Sequence, residues 1–189
     1  MEPKLEEAKA NQRTVYFVDA AHFVMGAFLG WLWCFTRIFV RSSSGRHRFN
    51  VLGALCATTH RLIKVCNTGY INSESVCELL HKIKDASAKL PITVVLDNAR
   101  YQRCKLVQAT AAALGIELLF LPTYSPNLNL IERLWKFTKK KVLYSKYYET
   151  FLDFQNAITQ LLDTSHITYR DELQSLLTLK FQTFENLTT

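Results

Sequence analysis

Two apolar runs, each ending at an aspartate, constrain this sequence more than any other feature. The first run is V-Y-F-V and ends at Asp19, and the second is I-T-V-V-L and ends at Asp97. Short unbroken runs of aliphatic and β-branched residues predict buried strands. In open α/β sheets, ligands bind and functional residues lie at the carboxyl ends of the strands. We therefore expect both aspartates where a buried strand meets solvent.

A third carboxylate, Glu132, follows a change of local structure. Pro122 and Pro126 interrupt the chain, which then resumes with helical spacing. Glu132 and Trp135 fall in the first turns of that predicted helix. Thirty-four residues, positions 98–131, separate the second aspartate from this glutamate. A strand-end aspartate and a helix-borne glutamate at this distance form a pair that needs a common explanation.

The order of predicted elements indicates an α/β fold with a mixed sheet. Strands are expected over 14–19, 49–59, 62–70, 91–96 and 116–121. Helices are expected between 73 and 89, over 105–114, from about 131, from 150 and from about 171 to 184. Candidate N-caps of the first of these helices are Asn72, Ser73 and Ser75, and Ser75 with Glu78 fits a capping box. The order is that of a ribonuclease H-like domain: a five-stranded mixed sheet flanked by helices, with extra C-terminal helices. In that order the first and fourth strands are neighbours, so that Asp19 and Asp97 end side by side.

Length and charge predict one compact basic domain. The 189 residues are 49% hydrophobic, which suffices for one sizeable core and not for two. We expect a tail or linker remnant over 1–13, the main domain over 14–165 and a helical tail over 166–189. The formal net charge of +7 favours a polyanionic partner, although an ordinary basic protein has the same sign of charge.

Cysteine usage and the first residues indicate a reducing compartment. The five cysteines are scattered without a C-x-x-C pair, which favours reduced thiols in the core over a disulfide framework or a zinc site. The first thirteen residues are mostly polar and charged, unlike a secretory signal. The uncharged segment Ala20–Thr36 has the composition of a short membrane span. Its histidine, its glycines and its flanking charges favour a buried strand followed by an apolar excursion.

Three carboxylates on neighbouring elements predict a divalent metal site. Like charges a few ångströms apart raise one another's pKa, so that a cation is needed to hold two aspartates together. An all-oxygen set completed by Glu132 suits Mg²⁺ or Mn²⁺. Two such ions about 3.5–4 Å apart activate a nucleophile and stabilise the leaving oxygen at phosphorus. Taken singly, each aspartate is also compatible with a turn or cap, and the glutamate with a favourable helix dipole.

The motifs around the three acids resemble the DDE domain of insertion-sequence transposases of the Tc/mariner superfamily. Asp19 stands in V-Y-F-V-D-A-A-H-F, Asp97 in V-V-L-D-N-A and Glu132 in Y-S-P-N-L-N-L-I-E-R-L-W. The spacing of the second and third acids matches the family pattern, and the resemblance spans about residues 14–165. The fold and function of that family are therefore expectations for this chain.

The resemblance also implies the roles of particular residues. The three acids would be the catalytic residues and would bind two Mg²⁺ ions, for which Mn²⁺ substitutes. Asn98 and Asn129 would support the site, and Tyr124, Ser125 and Pro126 would shape the loop before the helix. Such enzymes act on DNA, at the ends of their element and at a target, as homodimers or larger synaptic complexes, which implies a cytoplasmic, nucleoid-associated bacterial protein without membrane contact.

The sequence departs from the family pattern in three places. Family members commonly have Glu after the first Asp, where this chain has Ala20. They often have His a few residues beyond D-N, where this chain has Tyr101 and Gln102. They usually carry an N-terminal helix-turn-helix region, and only thirteen residues precede the first predicted strand. The sequence is therefore expected to be a catalytic half, either a fragment, a frameshift partner or a decayed copy, to which a helix-turn-helix region is supplied separately or upstream.

Two clusters of basic residues are candidates for DNA contact. The candidates are Arg46, Arg48, Arg133, Lys136, Lys139, Lys140 and Lys141. A run of charge is by default a solvated helix face, and the two arginines near position 47 are equally compatible with a loop surface. Beside a phosphodiester-cutting site, contact with DNA phosphates is the more specific interpretation. Trp135 is expected to pack against the sheet, with base stacking as the alternative.

Three functions are compatible with these residues. The leading hypothesis is a DNA transposase catalytic domain that cleaves strands with water and transfers them with a 3′ hydroxyl as nucleophile. The second is a ribonuclease H-like or junction-resolving nuclease, which typically uses additional carboxylates. The third is a catalytically inactive, transposase-derived protein for DNA binding or assembly. The intact acid trio argues against the third, and the missing upstream region argues for it.

Overall fold

The computed structural model describes residues 1–26, 35–36, 47–87, 90–122 and 126–181. These residues form six α-helices and five strands. The strands are β1 (Thr14–Met25), β2 (His47–Cys56), β3 (Leu62–Asn67), β4 (Ile92–Leu96) and β5 (Ile116–Phe120). The helices are α1 (Glu2–Lys9), α2 (Ser73–Ala86), α3 (Lys105–Leu114), α4 (Ile131–Val142), α5 (Phe151–Thr168) and α6 (Arg170–Leu176), and a 3₁₀ turn, Pro126–Leu128, precedes α4.

The five strands form one mixed sheet in the order β3-β2-β1-β4-β5. The strand β1 is antiparallel to β2 and parallel to β4, and β3 and β5 extend the sheet on either side. The expected ribonuclease H-like α/β fold is therefore confirmed, including the pairing of the first and fourth strands. Val18 lies opposite Leu96 in that pair, so that Asp19 and Asp97 are the next residues on neighbouring strands.

The strand β1 is longer than the sequence predicts. It continues past Asp19 to Met25 and pairs along its whole second half with β2, where Asp19 lies opposite Gly53. Ala21, Phe23 and Met25 are buried because the strand alternates between solvent and core. The expectation that this strand ends at the aspartate is therefore wrong: Asp19 lies within β1, at the point where only the neighbour β4 has ended.

The segment Ala20–Thr36, predicted to contain an apolar excursion, lies partly outside the described residues. Positions 27–34 and 37–46 are among those not described, which includes Arg46. In the part of the chain that the structure covers, no helix is both long enough and apolar enough to cross a membrane.

The sheet separates two hydrophobic cores. Side chains of β1 alternate between them: Phe17 and Phe23 enter the first core, and Tyr16 and Val18 enter the second. Helices α4 and α5 cover the first core, and α2 and α3 cover the second. The helix α4 therefore lies across β1, on the face opposite α2 and α3.

Helix α1 packs against the main domain. Leu5 and Ala8 are buried in the first core. Beyond the helix, Arg13 donates from Nη1 to Thr93 Oγ1 and to Glu117 Oε2, each at 2.9 Å. These contacts join the first residues to the starts of β4 and β5. The division of the chain at residues 13 and 165 stays a prediction.

Element boundaries correct several local predictions. The strands β2 and β3 end at Cys56 and Asn67, earlier than expected, and His60 between them has a left-handed φ of 57°. The cap of α2 is Asn72, whose side chain accepts from the Ser75 backbone N–H, so that the predicted Ser75–Glu78 box is wrong. The last helix begins at Arg170 and ends at Leu176, short of the predicted residue 184.

The interpretation of the cysteines as core residues is confirmed only in part. Cys56 is buried, Cys77 and Cys104 are half-buried, and Cys66 is exposed. Cys66 lies in β3, the edge strand of the sheet, where one side of the strand has no neighbour to cover it. Cys34 lies outside the described residues.

Candidate active site

Three acidic side chains from three different elements lie at the same edge of the sheet, close enough for Asp19 to interact electrostatically with the other two. Asp19 lies in β1, Asp97 directly follows β4, and Glu132 is in the first turn of α4. The parallel pairing of β1 with β4 brings the two aspartates together. The helix α4 crosses β1 and carries the glutamate to the same edge. The proximity of the three acids therefore depends on the order of the strands in the sheet and on the crossing of α4 over β1.

The acids interact electrostatically. The pKa of Asp19 is raised from 3.8 to about 7, first because the carboxyl is largely buried and then because of the negative charges of Glu132 and Asp97. Hydrogen bonds from the Ala20 backbone N–H and the Trp135 indole act in the opposite direction. Asp19 is thus a largely buried carboxyl with two acidic neighbours, an arrangement whose repulsion a cation would relieve.

Asn129 joins the start of α4 to both strands. Its Nδ2 donates to Asp97 Oδ1 at 3.0 Å and to the Val18 carbonyl at 3.2 Å. The residue is only 1% exposed, so that these bonds are made in a region from which water is excluded. Asn129 thus bonds to Asp97 and connects the start of α4 to β1; its role in supporting a metal site stays a prediction.

The donor set suits a hard divalent cation. Besides the three carboxylates, the side-chain oxygens of Asn98 and Asn129 are buried and have no hydrogen-bond partner among the described residues. Oxygen-only sites are those that Mg²⁺ and Mn²⁺ prefer. Within the described ranges, no three Asp, Glu, His or Cys side chains converge closely enough to hold a metal ion as they stand. The fit to a cation is therefore one of charge and donor type.

Two further residues belong to this edge, and sequence reasoning gave them no role. Burial raises the pKa of the Tyr101 phenol, and the charges of Asp19 and Asp97 raise it further. The neighbouring Gln102 is 1% exposed and donates from Nε2 to the Tyr101 oxygen at 3.5 Å. These are the two positions at which the chain departs from the family pattern beyond D-N. This departure from the family pattern is the sequence feature by which the two residues could have been identified.

The exposed side of α4 carries a basic groove. Lys136, Lys139 and Lys140 are exposed, and together with Tyr144 they line a cavity of about 510 Å³. The lysines are spaced i, i+3 and i+4, so that they share one side of the helix. Glu132 lies one turn before Lys136, which puts the groove next to the acids along the same helix. Tyr144 was not predicted, since nothing in its local sequence distinguishes it.

The other predicted DNA contacts have different surroundings. Arg133 donates to the carbonyls of Leu176, Thr178 and Lys180 at 2.8–3.3 Å, and Lys141 forms an ion pair with Glu172 at 3.0 Å. Both side chains hold the C-terminal segment in place.

Arg48 is exposed near the start of β2, opposite Val24. Arg46 lies outside the described residues. Contact of any of these arginines or lysines with DNA stays a prediction.

The fold defined by this sheet order is shared with transposases and retroviral integrases of known structure. The Mos1 strand transfer complex matches with a TM-score of 0.60 at 14% identity, over 97% of this chain and 60% of that chain. The Mos1 transposase paired-end complex with the left transposon end matches with a TM-score of 0.65 at 10% identity, over 94% and 55%. The catalytic core domain of BIV integrase matches with a TM-score of 0.53 at 13% identity, over 87% and 95%. The chain thus spans about 60% of the Mos1 chains.

A family match identifies the chain more closely than the fold does. The model of the DDE superfamily endonucleases matches residues 14–155, which is most of the sequence. The chain therefore belongs to the DDE superfamily of endonucleases, as its motifs indicated. The comparison with curated proteins finds no match.

The raised pKa of Asp19 predicts how stability depends on pH without metal. The folded state retains the Asp19 proton up to about pH 7, whereas the unfolded state loses it near 3.8. Stability from this group is therefore lost as the pH rises through that window. Relative to wild type, Asp19→Asn should gain about 2–3 kcal/mol in free energy of unfolding between pH 5 and pH 8. Urea denaturation in chelator at both pH values measures this difference.

The control for that measurement is Asp85→Asn, which removes an exposed carboxylate from α2. If the Asp19→Asn and wild-type proteins differ by the same amount at pH 5 and pH 8, Asp19 is not a buried acid with a raised pKa. The electrostatic account of the site would then be wrong.

Proposed function

We propose that this chain is the catalytic domain of a DNA transposase and that it cleaves and transfers phosphodiester bonds with a divalent metal. The observation that carries the proposal is the placement of Asp19, Asp97 and Glu132 at one sheet edge, where burial and then the charges of the two other acids raise the pKa of Asp19. The family match to DDE endonucleases supports it. Mos1 transposase, which has the same fold, is known in complexes with transposon ends.

In this proposal the three carboxylates hold Mg²⁺ or Mn²⁺. The bound metal would supply an activated nucleophile and charge stabilisation at phosphorus. The chain's own residues position the reacting groups. Asn129 fixes the Asp97 carboxylate through Nδ2, and burial of this edge strengthens every electrostatic contact made there. Asn98 offers a buried oxygen beside Asp97.

The basic groove on α4 would bind the substrate backbone. Lys136, Lys139 and Lys140 are exposed on the helix that also presents Glu132. A phosphodiester chain held in the groove would pass the acids within about one helical turn, since each turn of helix rises about 5.4 Å. Neutralised phosphates add a salt-dependent, sequence-independent component to affinity, which suits an enzyme whose end recognition is supplied by another region.

The assembly is proposed by analogy in fold. The Mos1 structures are paired-end and strand transfer complexes, and this chain spans about 60% of the first of those chains. We therefore propose that the domain works as a dimer or larger synaptic complex on element ends and target DNA. A helix-turn-helix region, in the same or another chain, would select the ends.

Removing one acid should abolish cleavage. In Mg²⁺ or Mn²⁺, Asp97→Ala or Glu132→Ala should lower the rate of DNA strand cleavage by about a thousandfold, because several kcal/mol of charge stabilisation are lost. Gel analysis of a labelled duplex with a transposon-like end measures this loss, with Asp85→Ala as the control on a distant helix.

The same assay separates the competing functions. Equal cleavage by the wild type and the acid variants would exclude this active site. DNA binding without metal-dependent cleavage by the wild type would favour an inactive, transposase-derived DNA-binding protein. Cleavage of RNA–DNA hybrids or junctions without strand transfer would favour a ribonuclease H-like nuclease.

Neutralising the groove should reduce the salt dependence of DNA binding. Replacing Lys136, Lys139 and Lys140 by Gln should weaken duplex binding and reduce the slope of log K against log salt by about 0.9 for each lost phosphate contact. Fluorescence anisotropy at several salt concentrations measures the slope. A matched control is the Gln triple variant of Lys9, Lys82 and Lys84, which lie on α1 and α2. An equal change of slope in both variants would place the DNA elsewhere.

A further inference from the structure

The indole of Trp135 contacts the first acid directly. Its Nε1 donates to Asp19 Oδ2 at 3.1 Å, and the side chain is only 2% exposed. Trp135 follows Glu132 by three residues on α4, so that both side chains lie on the same side of the helix. One helical turn therefore brings a carboxylate to the site and a hydrogen-bond donor to the neighbouring carboxylate.

The position of the indole is fixed from its other end by Gly53. This glycine lies opposite Asp19 in the β1–β2 pair. A Cβ at position 53 would lie 2.7 Å from Trp135 Cη2, 2.9 Å from Trp135 Cζ2 and 2.9 Å from Leu62 Cδ1. The ring thus rests on the bare backbone of β2, a contact that only glycine permits. Phe23 packs against it edge-on with a centroid distance of 6.4 Å.

Packing alone does not require a tryptophan at this position. Phenylalanine would fill much of the same apolar space, but an indole N–H is a donor only and needs an acceptor when it is buried. The acceptor here is the carboxyl group of Asp19, and in its ionised form, which metal binding requires, the hydrogen bond is about twice as strong as a neutral one. The bond also restricts rotation of the Asp19 side chain, together with the hydrogen bond from the Ala20 backbone N–H.

We propose that Trp135, seated on Gly53, is a positioning residue that holds the Asp19 carboxylate in its metal-binding orientation. The inference rests on the proposed metal-dependent function and assigns to Trp135 and Gly53 a role that goes beyond the three acids. Trp135 is buried and would act through its hydrogen bond to Asp19. Hydrogen-bond partners of metal ligands typically account for about 10–100-fold in metal affinity, which sets the size of the expected effect.

The direct test is Trp135→Phe with Mn²⁺ as the probe. Mn²⁺ affinity, measured by electron paramagnetic resonance with and without duplex DNA, should fall by about 10–100-fold. Affinity for DNA should stay at the wild-type value, because the lysine groove is unchanged. Phe154→Leu is the matched control: it perturbs an equally buried aromatic of the same core, 1% exposed, and should leave Mn²⁺ affinity unchanged.

A second variant disturbs the hydrogen bond between Trp135 and Asp19 through the packing of the indole on β2. Gly53→Ala leaves every polar group in place and should displace the indole from Asp19, with a similar loss of Mn²⁺ affinity. This variant decides the question if Trp135→Phe does not fold. Wild-type Mn²⁺ affinity in a folded Trp135→Phe or Gly53→Ala protein would overturn the inference and leave the tryptophan as a packing residue. Absence of Mn²⁺ binding by the wild type, with DNA present, would instead overturn the proposed function and this inference with it.

Discussion

The parallel pairing of β1 with β4 is the interaction on which the rest of the structure depends. It sets Val18 opposite Leu96 and therefore brings the two aspartates that follow to one edge of a buried sheet. Burial and like charge make this arrangement unfavourable for an ionised carboxylate, as the raised pKa of Asp19 shows. The hydrogen bonds that Asp19 accepts from the Ala20 backbone N–H and the Trp135 indole offset part of this unfavourable free energy.

Helix α4 is the second component, because it carries different chemistry on its two sides. Toward the sheet it presents the buried Trp135, and toward solvent it presents Lys136 and its two neighbouring lysines, with Glu132 one turn before Lys136. Asn129, just before the helix, bonds to both strands that carry the aspartates. The helix thus connects the acidic edge to the basic groove, and its crossing over β1 decides the geometry of both.

Much of this architecture could be predicted because it depends on local pattern. Apolar runs identified the strands, α3 ends at Leu114 as expected, with Gly115 in a left-handed conformation after it, and the element order was sufficient for the sheet topology. The predictions that were wrong also have physical reasons. The unbroken apolar run that predicted β1 stops at Asp19, but the strand continues because its antiparallel pairing with β2 continues. Beyond Asp19 its residues alternate between buried and exposed positions. Arg133 and Lys141 bind carbonyls or carboxylates of the segment 172–180, which no local pattern reveals.

By itself, the sequence determined which residues are acidic, which runs are strands and which motif announces the family, because these properties depend on residues close together along the chain. Only the tertiary structure decided what the buried polar atoms contact. The bond from Trp135 to Asp19 joins residues 116 positions apart, and the indole fits only because Gly53 on a third segment lacks a Cβ. Such contacts depend on how strands and helices pack, since a hydrogen bond in a closed core requires both groups to be placed within a few tenths of an ångström.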